Sequence, residues 1–456
     1  MRAGEAREEE GEMSREAVRS ESPAGSAGPV RSDGPAARPG ATVSALPRWR
    51  GGFGQVWTAA VVSRFGDGLR GGALPLLAAS LTRSPLLVSL VTAAGYAPWI
   101  VFGLLGGALA DRIDRRRAMR AVDAVRALLT GAFAVAVAVD RAGIGLLLAL
   151  AFALTTLQTL FDNAATALLP EVVPRAALAA ANARLSTGQT VAGTFLGAPL
   201  VAAVLTLGAG APFALDAATF AVAAVLVATL PRTPAGAGAE EDGGPRRGLT
   251  PRPSGRRQRH DIAEGIRVLW QDRLLRAICA ANTLANVGVG ALVATLVLEM
   301  TGWLHAGHGG FVAAITAYGV GSVAGGLLAG RVRGPAGGVR VLPVTLSVQA
   351  GCLVVLGSVR STAVAVAAMA VFGALGSVWN VRTVTLTQQR TPEALLGRVS
   401  AANRTLSVAG APFGALLGGS AASAWGFNTP ALLAAALFGC AVAALAVPGV
   451  VRHHDG

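Results

Sequence analysis

Twelve runs of about twenty mostly apolar residues, separated by short polar connections, constrain this chain more than any other feature of its sequence. Crossing the roughly 30 Å of bilayer hydrocarbon takes about 20 residues of helix, and in lipid every backbone N–H and C=O must be satisfied within the helix itself. Runs at 53–81, 85–110, 118–139, 143–169, 186–207 and 211–230 meet that length, as do runs at 274–300, 309–330, 339–359, 362–386, 400–425 and 428–450. A content of 53% hydrophobic and 14% charged residues leaves too little polar surface to cover a soluble body of this size. The chain is therefore expected to be an all-α polytopic membrane protein with twelve transmembrane helices.

The apolar pattern breaks at 231–260, where Pro, Gly and Arg dominate and no helical periodicity survives. That break divides six spans from six. It predicts an N-terminal six-helix bundle at 53–230, a cytoplasmic linker at 231–273, a C-terminal six-helix bundle at 274–450 and a short cytoplasmic tail at 451–456. Within the linker, Ile262, Ile266, Leu269 and Trp270 share one helical face, the pattern of an interfacial helix. Residues 1–52 mix acidic and basic residues without the apolar core of a signal peptide, and are expected to be a disordered cytoplasmic tail.

A formal charge of +14 would point to nucleic acid in a soluble protein. Here the arginines sit in short loops between apolar runs, without interleaved aromatics, so nucleic acid is not an expected partner. Arg112, Arg115, Arg116 and Arg117 follow the second span, Arg331, Arg333 and Arg340 the eighth, and Arg390 and Arg398 the tenth, whereas the opposite loops carry Arg83, Arg141 and Arg360 singly. The positive-inside bias then puts both termini in the cytoplasm, with the protein multi-pass in the inner (plasma) membrane. Cys279, Cys352 and Cys440 lie far apart within apolar runs and read as packing residues, not metal ligands. His305 and His308, in a short outer loop, lack a neighbouring carboxylate or thiolate, so no metal is expected. No phosphate-binding or dinucleotide loop and no nucleophile elbow is found; the chain is not expected to be an enzyme or to need a cofactor.

The two halves echo one another. Gly106, Gly107 and Arg112 recur as Gly325, Gly326 and Arg331, Pro174 with Leu178 recurs as Pro392 with Leu396, and Gly197 with Pro199 recurs as Gly410 with Pro412. Such duplication predicts two pseudo-symmetric bundles with a substrate site between them near the midplane.

The segment GALADRIDRR, with Gly107, Asp111, Arg112, Arg115 and Arg116, resembles the loop between spans two and three of the major facilitator superfamily. Asp114 stands where that pattern has glycine, and Gly330 replaces the aspartate in the second-half copy, so the gate this resemblance implies is asymmetric. The alternative is that these charges serve only topology. Arg64 with Asp67, Asp123 with Arg126, and the stretch from Leu169 and Pro170 to Asn182 are similar to the branch holding enterobactin and macrolide exporters. Gly193, Gly197 and Pro199 are similar to a motif of the superfamily's exchangers, and equally to ordinary close helix packing.

Charges inside the apolar runs carry the mechanism. Each costs at least roughly 2.5–3.5 kcal/mol at a helix centre unless paired or hydrated. Asp67 lies mid-span, and Arg64 is one turn away on the same face. The pair reads either as a proton-coupling site or as a permanent structural ion pair. Asp216 is a second protonatable candidate or a plain interfacial carboxylate. Asp123 and Arg126, nearer the cytoplasmic end, read as part of the gate. Polar and aromatic residues at central depth, Tyr96, Trp99, Gln158, Gln189, Asn282, Asn286, Trp379 and Asn380, are the substrate-binding candidates.

These features predict a monomeric secondary transporter that exports a small amphipathic molecule, a drug, siderophore or secondary metabolite, against protons. The alternatives are a proton-linked uptake carrier of the same fold, a non-transporting membrane sensor or assembly protein and, more distantly, a polytopic membrane enzyme.

Overall fold

The computed structural model describes residues 52–102, 115–173, 177–230, 264, 266–329 and 335–446. The expected N-terminal tail, most of the linker and the final tail lie outside those residues.

Lengths of apolar sequence become helices. The first half runs α1 (Gly52–Leu81), α2 (Pro85–Phe102), α3 (Arg115–Ala138), α4 (Ile144–Val172), α5 (Leu178–Thr190), α6 (Ala198–Leu205) and α7 (Ala211–Ala228). A π-helical stretch, Val191–Gly197, joins α5 to α6, so the two form one span. The second half runs α8 (Arg273–Leu298) with a π turn at Glu299–Trp303, then α9 (Gly307–Ala329), α10 (Pro335–Ser358), α11 (Thr362–Arg390), α12 (Glu393–Trp425) and α13 (Thr429–Leu445). Among the described residues these count as twelve spans, six on each side of the linker, and no strand occurs there.

Eight of these helices pass a length and hydropathy test for crossing a membrane, and the bent α5–α6 pair, broken by 42°, makes a ninth. The charges of α1 lower its hydropathy, α2 runs at its far end into residues outside those described, and α13 has 17 residues. The fifth and eleventh spans start earlier than their apolar runs, at Leu178 and Glu393. Alanine and leucine there carry the helix through polar residues that a hydropathy window rejects. Large apolar side chains on the outer faces stay exposed, among them Leu128, Val135, Val225, Leu327 and Phe413, as a lipid-facing surface requires.

Glycine and alanine set the helix contacts, because helices in lipid associate through close backbone approach instead of a hydrophobic driving force. On α9, Gly321 and Gly325 sit against the backbone of Ala370 and Ala374 of α11. The repeat noted in the sequence has a structural counterpart. A Cβ at Gly197 would lie 2.5 Å from the Phe65 carbonyl of α1, and one at Gly410 would lie 2.8 Å from the Thr283 carbonyl of α8. Corresponding glycines thus seat corresponding spans, which is what duplication of one bundle produces.

The halves meet through α2 against α12 and α8, and through the fifth span against α9. Gly419 of α12 lies on Ser89 and Pro85 at the start of α2, and Gly319 of α9 lies on Thr194. Ala93, Ala294 and Ala415 form a small core where α2, α8 and α12 converge. At the linker end, Asp272 caps α8 by accepting from the backbone N–H groups of Leu274 and Leu275 at 2.8 and 3.0 Å, and it pairs with Arg390 at 3.7 Å. Glu264 pairs with Arg398 of α12 beside it.

Candidate functional site

Three charges on α1, Arg64, Asp67 and Arg70, recur every three residues and so project from neighbouring positions of the helix. Nothing lipid-facing could tolerate them, and the fold turns them inward. Arg70 donates from Nη2 to Asp67 Oδ1 at 2.5 Å and from Nε to Asp216 Oδ2 at 2.9 Å. It therefore bridges α1 to α7. Gly66 makes room for this approach, since a Cβ there would collide with Asp216 and Thr219.

Arg126 of α3, fully buried, joins the same cluster. Its Nη2 donates to Asp67 Oδ1 at 2.8 Å, while its Nη1 is 3.4 Å from both Asp123 Oδ1 and Ser63 Oγ. The guanidinium carbon lies 3.8 Å from the centroid of the Phe220 ring, a cation–π contact strengthened by the burial of both groups. Arg64 is held more loosely, 3.4 Å from Asp67 and 3.9 Å from Asp162 of α4, with 35% of its side chain exposed. Asp67 thus receives three guanidinium groups. Asp216 Oδ1 and Asp123 Oδ2, both buried, have no hydrogen-bond partner among the described residues.

The cluster opens onto a cavity of about 510 Å³ between the two halves. Arg64, Asp67 and the small residues Gly68, Gly71 and Gly72 form its α1 wall. Ser186, Gln189, Thr190, Gly193 and Thr194 of the fifth span form a second, and Ile315 with Tyr318 of α9 forms the third. The π-helical stretch supplies Gly193 and Thr194; such wide turns recur at functional sites.

Arg64, Asp67, Asp216, Asp123 and Arg126 are all brought together. The last two, read from the sequence as gate residues, lie in the same buried cluster as Asp67. Of the gate segment, Gly107, Asp111 and Arg112 lie outside the described residues. Arg115 opens α3, and Arg116 stands in its first turn.

The substrate-binding candidates scatter. Of them, Gln189 alone lines this cavity. Gln158 donates to Asp162 at 2.7 Å, at the edge of the charge cluster. Trp379 Nε1 donates to Asn282 Oδ1 at 2.6 Å, tying α11 to α8, and Asn286 donates to the Asn282 carbonyl within its own helix. Trp99 has the guanidinium of Arg404 5.4 Å from its ring centroid, Tyr96 is partly buried, and Asn380 is exposed. His305 lies in the turn between α8 and α9 with its Nδ1 3.2 Å from the Trp303 carbonyl oxygen, and His308 lies in the first turn of α9.

Sequence reasoning missed Arg70, Asp162 and Tyr318. Arg70 repeats the three-residue interval from Arg64 to Asp67, a signal that was present. Tyr318 joins the site only through contact between halves, which no local pattern reports.

A sequence profile of the Major Facilitator Superfamily matches residues 56–415. The chain belongs to this superfamily. It is a multi-pass membrane protein with the superfamily's transporter fold. Solved structures agree in architecture. A point mutant of the nucleoside transporter NupG superposes with a TM-score of 0.66 at 12% identity, covering 86% of this chain and 98% of that one. A bacterial homologue of the human lysosomal transporter Spinster, inward-facing and unoccupied, superposes with a TM-score of 0.63 at 15% identity, covering 86% and 94%. No curated protein matches this superfamily member in sequence.

Proposed function

We propose that this superfamily member is a proton-coupled secondary transporter that exports a small molecule by alternating access of its two halves. The observation that carries this reading is the bridge from the partly buried Asp67 and Arg70 to the buried Asp216, beside a cavity lined from both halves. Intramembrane charges are costly, and pairs of them beside a hydrated cavity mark ion or proton pathways. Arg70 is shared by two carboxylates, so a proton arriving on either one releases the guanidinium to the other. That exchange is a local two-state element, and packing of α1 against α7 and the fifth span supplies the lever that connects it to helix movement. Arg64, which pairs with Asp67 from the cavity side, links cavity contents to the same carboxylate.

On this reading the segment from Gly107 to Arg116 gates the cytoplasmic side, and a single chain suffices because it already holds both halves. The export direction rests on the resemblance of the span-one, span-three and Gly193 to Pro199 residues to exporters. The same machinery running inward is the second reading. It is favoured by the hydroxyl and amide side chains in the cavity wall, which suit a hydrophilic metabolite, and by the likeness to a nucleoside transporter.

The test is proton release from acid-loaded inverted vesicles, followed with a pH dye while siderophores, antibiotics and polar metabolites are added. Native protein should release protons with at least one compound. Asp67→Asn, which keeps the size of the side chain, should insert and fold but release none. Undiminished coupling in that variant would overturn the assignment of Asp67, and accumulation of label inside right-side-out vesicles would reverse the direction.

A further inference from the structure

The cavity wall contributed by the fifth span has a chemistry of its own. Ser186, Gln189 or Thr190, and Gly193 or Thr194 recur at intervals of three and four, so they form one stripe along the helix. Thr190 donates to the Ser186 carbonyl at 2.9 Å and keeps its acceptor lone pairs for the cavity. Gln189 makes no side-chain hydrogen bond among the described residues, which leaves its amide with both donors and an acceptor to offer. Opposite, across the boundary between halves, stands Tyr318, its ring tilted on Phe372 at 6.2 Å. Ile315 is the one aliphatic side chain among the described wall residues; the other side chains of the wall end in hydroxyl, amide or charged groups.

A site for lipophilic cations would show the reverse, with apolar and aromatic side chains predominating. The volume of about 510 Å³ lies within the range of small-molecule pockets. Thr194 of this wall packs on Gly319 where the fifth span meets α9. A ligand between the stripe and Tyr318 therefore touches both halves, the arrangement needed for its binding to differ between conformations.

We infer that this cavity takes a hydrophilic small molecule that presents a row of hydroxyl or amide groups to Ser186, Gln189, Thr190 and Thr194, with Tyr318 closing on its other side. The inference rests on reading this cavity as the transport site, and it narrows the cargo to the hydroxyl- and amide-rich members of the classes proposed above.

The experiment compares two probe sets at millimolar concentration on the purified protein, with the unfolding temperature as the readout. One set is hydrophilic and uncharged: uridine, methyl glucoside and N-acetylglycinamide. The other is lipophilic and cationic: tetraphenylphosphonium and ethidium. At least one hydrophilic probe should raise the unfolding temperature, the cations should not, and Gln189→Leu should weaken the response by about tenfold in affinity, the cost of leaving a ligand polar group unpaired. Thr190→Val serves as a second variant should Gln189→Leu fold poorly. Stabilisation by the cations, tightened in Gln189→Leu, overturns the inference, as does a hydrophilic response that neither variant changes or the lack of any hydrophilic response. The proton-release assay with the same probes separates the two claims. Hydrophilic binding without proton flux removes the transport reading and leaves the ligand class standing; flux driven by the cations does the opposite.

Discussion

Arg126 and Arg64 carry the same charge to the same carboxylate, yet their surroundings make them different in energy. Arg126 is fully buried, holds Asp67 at 2.8 Å and reaches Asp123 at 3.4 Å. Arg126→Leu strands the buried Asp123 carboxylate and takes one of three guanidinium groups from Asp67, and should destabilise the folded protein by about 3–5 kcal/mol. Arg64→Gln removes a contact at 3.4 Å from a partly hydrated guanidinium, and should cost no more than about 1 kcal/mol. Unfolding of the two variants in the same detergent checks the contrast, and equal losses would mean that the cluster does not hold the bundle together as described. Glu299 makes the converse case. It is fully buried in the π turn after α8, and neither carboxyl oxygen has a hydrogen-bond partner among the described residues. Glu299→Gln keeps the shape and removes any possibility of an unpaired buried charge, so its unfolding temperature should be no lower than that of the native protein. Of these residues the sequence revealed Asp67, Arg64, Asp123, Arg126 and Asp216 as charges in apolar runs. It paired Arg64 with Asp67 and Asp123 with Arg126, but did not join the two pairs to each other or to Asp216. Asp216 lies in the second turn of α7 and reads as close to solvent, but Arg70 reaching across from α1 and the missing side chain at Gly66 enclose it completely.

At the scale of elements, close approach explains why glycine recurs where it does. Gly197→Val and Gly410→Val each push a side chain into a backbone carbonyl, of Phe65 and of Thr283, that cannot move aside without separating two spans. Overpacking of this kind costs roughly 1–3 kcal/mol or more, and both variants should lose most of their folded, monodisperse yield on size-exclusion chromatography. Gly145→Ala in α4 is the control: a Cβ there meets nothing within 4 Å, and lower flexibility of the unfolded chain should leave stability unchanged or slightly raised. The helices themselves were legible because twenty apolar residues in lipid have almost no alternative to a helix. The π-helical stretch at Val191–Gly197 was not, since its sequence is as apolar as its flanks and the wide turn reflects packing on α1. The substrate-binding candidates failed to converge for a related reason. Central depth and polarity select residues such as Trp379 and Asn282, and neither property distinguishes a side chain that faces the cavity from one that ties two helices together, as these do at 2.6 Å.

For the whole molecule the decisive relation is that between halves. Their contacts through Ser89 with Gly419 and through Thr194 with Gly319 fall toward the end of the bundle where α1 gives way to α2 in the first case and near the middle of α9 in the second. Both join one half to the other through small residues, so they combine close packing with little interlocking, which suits surfaces that part and rejoin. If transport proceeds by rocking, the Ser89 to Gly419 contact must open once in every cycle. A Cβ placed on Gly419 would lie 2.6 Å from the Ser89 Cβ, inside the about 3.5–4.5 Å that a disulfide spans, so the two helices part by about 1 Å to form one. Ser89→Cys with Gly419→Cys, in a background lacking Cys279, Cys352 and Cys440, should cross-link on oxidation and bring substrate-dependent proton release to background. Reduction should restore it. Ligand binding by the cross-linked protein should survive, because the cavity beside Gln189 lies deeper than the lock. Cross-linked protein that still transports would mean that this contact stays shut throughout the cycle, and that the cargo moves by a route other than the boundary between α2 and α12.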